Sequence, residues 1–79
     1  MPDASLILPE DRARVEEAVA AGLRKKDRFE MSYRIRRPSG DIRWVHENGS
    51  GVFDSDGGVV ALEGFITDVT ARRRAEEDN

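Results

Sequence analysis

The chain has 79 residues and a mass of 8.9 kDa, which allows one small domain with a thin core. It carries no cysteine and one histidine, which excludes disulfides, thiolate zinc sites, thiol nucleophiles and any multi-histidine metal site within one chain. Its 16 acidic and 13 basic residues give a net charge of −3, so charge alone gives no reason to expect nucleic-acid or membrane binding.

From Pro9 to about Lys26 the spacing predicts a helix. Val15, Ala18, Val19, Gly22 and Leu23 recur at i, i+3, i+4, i+7 and i+8 on one face. Pro9 suits the first helical turn. Glu10 and Asp11 favour the positive end of the helix dipole, and Lys25 and Lys26 the negative end. Leu8 offers no capping side chain. Leu6 to Leu8 is either a hydrophobic lead-in or a short strand.

After Asp27 the period becomes two. Phe29, Met31, Tyr33 and Ile35 alternate with Glu30, Ser32, Arg34 and Arg36, so a strand is expected over about 28–37. Pro38-Ser39-Gly40-Asp41 supplies a turn. A second strand is expected over 42–53. Its alternation degrades at Asn48-Gly49-Ser50-Gly51, which points to a bulge or a close backbone approach. Asp54-Ser55-Asp56-Gly57-Gly58 is a second turn. The third strand, 59–69, is apolar on both faces and is therefore expected to be the most buried of the three. A polar helix start follows over 71–79, with Thr70 as its expected cap and Arg72/Glu76 and Arg73/Glu77 at i, i+4 spacing. The expected fold class is α+β: a long N-terminal helix, a three-stranded antiparallel meander that it covers on one face, and a short helical tail, all in a single domain 1–79.

This order of elements, with these residues, resembles the C-terminal half of a PAS domain, the PAC motif. Leu8-Pro9-Glu10-Asp11-Arg12 is similar to the start of the family's long helix. Phe29 to Ile35 is similar to its third strand, and Gly40-Asp41-Ile42-Arg43-Trp44-Val45-His46-Glu47 to its fourth. Asp56-Gly57, followed by Gly64-Phe65-Ile66-Thr67-Asp68-Val69-Thr70, resembles the fifth strand and its closing Asp-x-Thr. The resemblance implies two further strands and several short helices ahead of this point, and with them much of a ligand cavity. Eight residues precede Pro9 here, so the expectation is an excised fragment or a naturally shortened relative.

The function classes can be weighed in turn. His46 and Glu47 are adjacent on a strand and point to opposite faces, so they form no acid–base pair. A surface or interfacial histidine, and a strand-face carboxylate near Arg34 or Arg43, are the expected roles. Glu10, Asp11, Glu16 and Glu17 read as solvated helix carboxylates. No nucleophile, base and orienting residue assemble, so no enzyme is expected. The resemblance raises haem, flavin and small metabolites as cofactors. Flavin photosensors of the family use a cysteine, which is absent, and no histidine lies on the long helix. No cofactor is therefore expected. Tyr33, Leu62, Phe65 and Ile66 are apolar candidates for a ligand site, with ordinary core as their alternative role. Arg34, Arg36, Arg37, Arg43 and Arg72-Arg73-Arg74 are interleaved with acids and read as a solvated face rather than a nucleic-acid site.

What remains is signal relay and association. The resemblance implies that Asp68 and Thr70 join the sheet to an output helix; a semi-buried Asp68 carboxylate needs a donor, to be supplied by Trp44, an arginine or a backbone N–H. The expected function is a non-enzymatic sensory and protein-interaction module of a cytoplasmic signalling protein. Its output partner would be a histidine kinase, a cyclic-dinucleotide enzyme or a transcription regulator. A homodimer is expected, through the edge of the third strand or through open sheet faces, with Phe29, Tyr33, Trp44, Phe65 and Ile66 as interface candidates. The alternative is a small protein that holds haem or another ligand between two chains. No apolar run approaches the ~18 residues of a membrane helix. Met1 to Ser5 lacks the basic and apolar regions of a signal peptide.

Overall fold

The computed structural model describes residues 4–77; the expectations for Met1 to Asp3 and for the last two positions of the tail lie outside them. A single 3-10 turn, Ala4–Leu6, leads into helix α1, Pro9–Lys25. Three strands follow, β1 Phe29–Arg36, β2 Ile42–Phe53 and β3 Val59–Asp68, and then helix α2, Thr70–Glu77. The fold class matches the sequence pattern: a helix, an antiparallel sheet in the order β1-β2-β3, and a short closing helix.

Helix α1 begins without a side-chain cap on Leu8, with Pro9 in its first turn. It ends at Lys26, which adopts the left-handed conformation, φ 53°, and returns its N–H to the carbonyls of Gly22 and Leu23. The two connections are tight. Gly40 and Gly57 take φ of +92° and +85°, values that a side chain would strain. In the second turn, Asp54 Oδ1 accepts from the backbone N–H groups of Asp56 and Gly58.

Residues Leu6 to Leu8 resolve into a strand-like contact. Ile7 bridges Ile35 in antiparallel fashion, and the Leu8 N–H donates to the Arg34 carbonyl at 3.0 Å. This segment covers the free edge of β1 at Arg34 and Ile35. The core then forms where α1 and the lead-in meet β1 and β2: Ile7, Val15, Phe29, Met31, Tyr33 and Val45 are buried, with Ala18, Val19 and Ile35 packed against them. Burying each large apolar side chain contributes roughly 1.5–3 kcal/mol. Gly22 lets α1 approach β1; a Cβ there would lie 3.1 Å from that of Phe29.

The third strand departs from expectation. It is the most exposed of the three strands, with every residue from Val59 to Asp68 exposed. Its two apolar faces suggested burial, but the sheet order puts it at an edge, and α1 packs over β1 and β2 instead. Val60 and Phe65 are each 63% exposed. The irregularity expected in β2 takes two forms. The register shifts between Val52 and Phe53, and the backbones close up at Gly49 and Gly64, where a Cβ on Gly64 would fall 2.2 Å from the Asn48 carbonyl oxygen.

Candidate functional site

Strand alternation and register divide the residues of interest between two faces of the sheet. Met31, Glu47 and Ile66 are cross-strand partners on the face toward α1. Arg34 pairs with Trp44, Ser32 with His46, and Asn48 with Phe65 on the other face.

Trp44 organises the outer face. Its backbone N–H donates to Thr70 Oγ1 at 2.8 Å, and its carbonyl accepts from the Val69 N–H and the Thr70 hydroxyl. The Arg73 guanidinium stacks over the indole at 3.8 Å from the ring centre, and that of Arg34 approaches at 5.5 Å. Arg34 in turn holds Asp11 on α1, donating from its backbone N–H and Nε to Oδ2 (2.9 and 3.0 Å) and from Nη2 to Oδ1 (2.8 Å). One continuous row of contacts therefore runs from α1 through β1 and β2 to α2.

Two sequence expectations change here. Asp11 is a buried carboxylate, not a solvated one, because the first turn of α1 leans on the edge of β1 where the Arg34 N–H is unpaired within the sheet. The hydrogen bonds from Arg34 lower its pKa from 3.8 to about 2. Thr70 is not the cap of α2. At 2% exposure its hydroxyl is committed to Trp44, and Asp68 Oδ1 instead accepts the Thr70 N–H at 2.9 Å, so Asp68 closes the helix start. Asp68 Oδ2 accepts from Arg43 Nε at 2.8 Å, and these bonds hold its carboxyl well below the usual range, the Arg43 bond foremost. Of the two expected tail pairs, Arg72 meets Glu76 at 3.9 Å, while Arg73 is taken up by Trp44.

His46 is flanked by two strand neighbours. Ser32 Oγ lies 2.8 Å from its Nδ1 and Glu30 Oε1 2.8 Å from its Nε2. A serine, a histidine and a carboxylate thus stand in one row, which adjacent-residue reasoning missed and cross-strand pairing could have found. Both nitrogens of His46 are engaged on the face away from Glu47.

Glu47 also departs from expectation. It does not approach Arg34 or Arg43; it is 5% exposed on the inner face, and its Oε1 accepts from the Tyr33 hydroxyl at 2.6 Å. Burial and the neighbouring carboxylate push the Tyr33 pKa above its ordinary value. Beside Glu47 opens a concavity of about 340 Å3, also lined by Phe29, Leu62, Phe65 and Ile66. Three of the apolar ligand candidates therefore border it. The fourth, Tyr33, is fully buried in the core. Of the interface candidates, Phe29 and Tyr33 are buried, Trp44 is half-buried, and Phe65 and Ile66 are exposed. No group of three metal-ligating side chains occurs among the described residues. No helix among them is long and apolar enough to cross a membrane.

The chain is similar to known proteins in sequence and in fold. The chain is 34% identical over 70 residues to uncharacterized protein y4lL of Sinorhizobium fredii, with 89% of this chain covered and 8% of that protein. It is 30% identical over 73 residues to a methyl sulfide methyltransferase-associated sensor of Methanosarcina acetivorans, with 91% of this chain covered and 7% of that protein. The chain thus spans less than a tenth of the curated relatives it matches. A sensory box histidine kinase/response regulator from Burkholderia thailandensis superposes with a TM-score of 0.85 at 40% identity, covering 99% of this chain and 61% of that one. The N-terminal domain of a diguanylate cyclase with PAS/PAC sensor from Marinobacter aquaeolei superposes with a TM-score of 0.77 at 27% identity, covering 89% and 64%. The PAS fold profile matches residues 4–66, which takes in α1, β1, β2 and most of β3. On these matches, and on the helix and antiparallel sheet that carry them, the chain belongs to the PAS fold family.

Proposed function

We propose that this chain is a sensory and protein-interaction module of a cytoplasmic signal-transduction protein, one that relays a change in its sheet to whatever follows α2. The carrying observation is the junction of Trp44, Asp68, Thr70 and Arg73. Backbone and side-chain bonds tie the start of α2 to the central strand rather than to the last strand alone. A shift of β2 against β3 must then move or release α2. The sensory proteins it resembles support a histidine kinase or a diguanylate cyclase as the output partner. The chain's similarity to PAS sensor domains supports a non-catalytic role.

The test is a graft of this chain in place of the matching segment of the Burkholderia thailandensis histidine kinase/response regulator. Thr70→Val and Trp44→Ala are each expected to change autophosphorylation several-fold while the graft stays folded. Output identical to that of the unmodified graft would overturn relay through this junction.

Association is the second part of the proposal. The lead-in segment covers the Arg34–Ile35 end of the β1 edge, whereas among the described residues no strand pairs with the outer edge of β3, which is apolar on both faces. A second copy pairing along β3 would cover Val60, Leu62, Phe65 and Ile66. Sedimentation at micromolar concentration is expected to give twice the 8.9 kDa chain mass. Val60→Lys with Phe65→Lys is expected to return it to one chain. A folded single chain without those changes would contradict pairing.

A further inference from the structure

The concavity beside β3 carries a charge pattern that an ordinary core gap does not. Two glutamates, Glu47 and Glu63, line it, and no lysine, arginine or histidine does. Glu47 is nine-tenths buried or more, and its one hydrogen bond is from Tyr33 to Oε1. Its second oxygen has no partner among the described residues, although a carboxylate offers about four acceptor positions. It forms no ion pair with any described residue, whereas Asp11 and Asp68 are each held by an arginine. The Glu47 carboxylate lines the concavity with acceptor capacity to spare, which an incoming cation can fill.

The rest of the wall suits the body of such a cation. Phe29, Leu62 and Ile66 are apolar, and an aromatic residue such as Phe29 favours a neighbouring positive charge. The volume, about 340 Å3, lies at the small end of the range for ligand sites. We propose that this concavity binds a small organic cation, an ammonium on an apolar or aromatic body, with Glu47 as its anchor. This would name the chemical class of the signal under the sensory reading, and it rests on that reading only for its biological meaning. Binding is measured on the chain alone and relay on the graft, so either can fail without the other.

The test is a charge series on one skeleton, with phenethylammonium, 2-phenylethanol and phenylacetate titrated into the chain and followed by calorimetry and by methyl NMR shifts at Leu62 and Ile66. Phenethylammonium is expected to bind, to shift those methyls, and to bind at least about tenfold more tightly than the other two. Glu47→Gln keeps an acceptor for the Tyr33 hydroxyl and is expected to erase the preference for the cation. Arg36→Ala, remote from the concavity, is expected to leave it intact. Equal binding of all three compounds, no binding of the ammonium at millimolar concentration, or a preference unchanged in Glu47→Gln would overturn the proposal. The charge series needs no variant, so it decides the matter even if Glu47→Gln does not fold.

Discussion

Arg34 grips Asp11 with its backbone N–H and its guanidinium together, so one residue of β1 fixes both the position and the orientation of the first turn of α1. The same guanidinium approaches the Trp44 ring. Acid stability should therefore centre on Asp11. Its pKa is about 2 in the folded chain against an ordinary 3.8. A lowered carboxyl pKa contributes stability above the unfolded value and loses it as pH falls toward the folded one. About 2 kcal/mol is expected to disappear between about pH 4 and pH 2. Thermal midpoints against pH for the natural chain and Asp11→Asn check this: the variant should be less stable at neutral pH and flatter below pH 4.

Tyr33 is the one tyrosine in the chain, so its ionisation can be followed by ultraviolet absorbance without overlap from another phenol. Its raised pKa means that the phenolate is not expected near pH 10 while the fold persists, and that stability falls as the solution is made more alkaline than that. Tyr33→Phe should cost about 1–3 kcal/mol, because it strands the buried Glu47 carboxylate. Adding Glu47→Gln to Tyr33→Phe should cost less than the sum of the two changes, as chemical denaturation of the four proteins would reveal.

At the junction with α2, Asp68→Ala and Thr70→Val remove different bonds. The first should fray the start of α2 and free Arg43. The second should speed hydrogen exchange at the Trp44 N–H as well. Each is expected to cost about 1–2 kcal/mol, read by amide exchange across residues 68–77. Unchanged exchange at Trp44 in Thr70→Val would mean that its bond to Thr70 contributes nothing.

Gly64→Ala places a methyl 2.2 Å from the Asn48 carbonyl oxygen, a distance only backbone movement can relieve. The change is expected to part β3 from β2 at that point, at more than about 2 kcal/mol. Gly40→Ala meets no atom within 4 Å and is expected to cost less, from backbone strain alone. Paired urea titrations compare the two.

The helix and the strand order were legible because both periodicities were clean: Val15, Ala18, Val19 and Gly22 on the helix, Phe29 to Ile35 on the first strand. The paired positions Ser32 and His46 could have been found from the same pattern, by folding the hairpin about Pro38 to Asp41. What was not legible depended on neighbours. Val59 to Val69 is as apolar as a central strand, and nothing local says that it ends at an edge. Asp11 resembles any acid in a first helical turn, and its burial follows from where the lead-in segment docks on β1. Glu47 falls on the inner face by simple alternation with Val45, but only three-dimensional packing puts the Tyr33 hydroxyl against it.

The Arg73–Trp44 stack has one further consequence. Trp44 is the chain's one indole, and its face is covered by a cation carried on α2. Indole emission responds to such a charge and to water, so detachment of the helix should change its colour and intensity. The molecule thus contains a built-in optical gauge, readable without any attached dye, of whether its last helix is docked on the sheet.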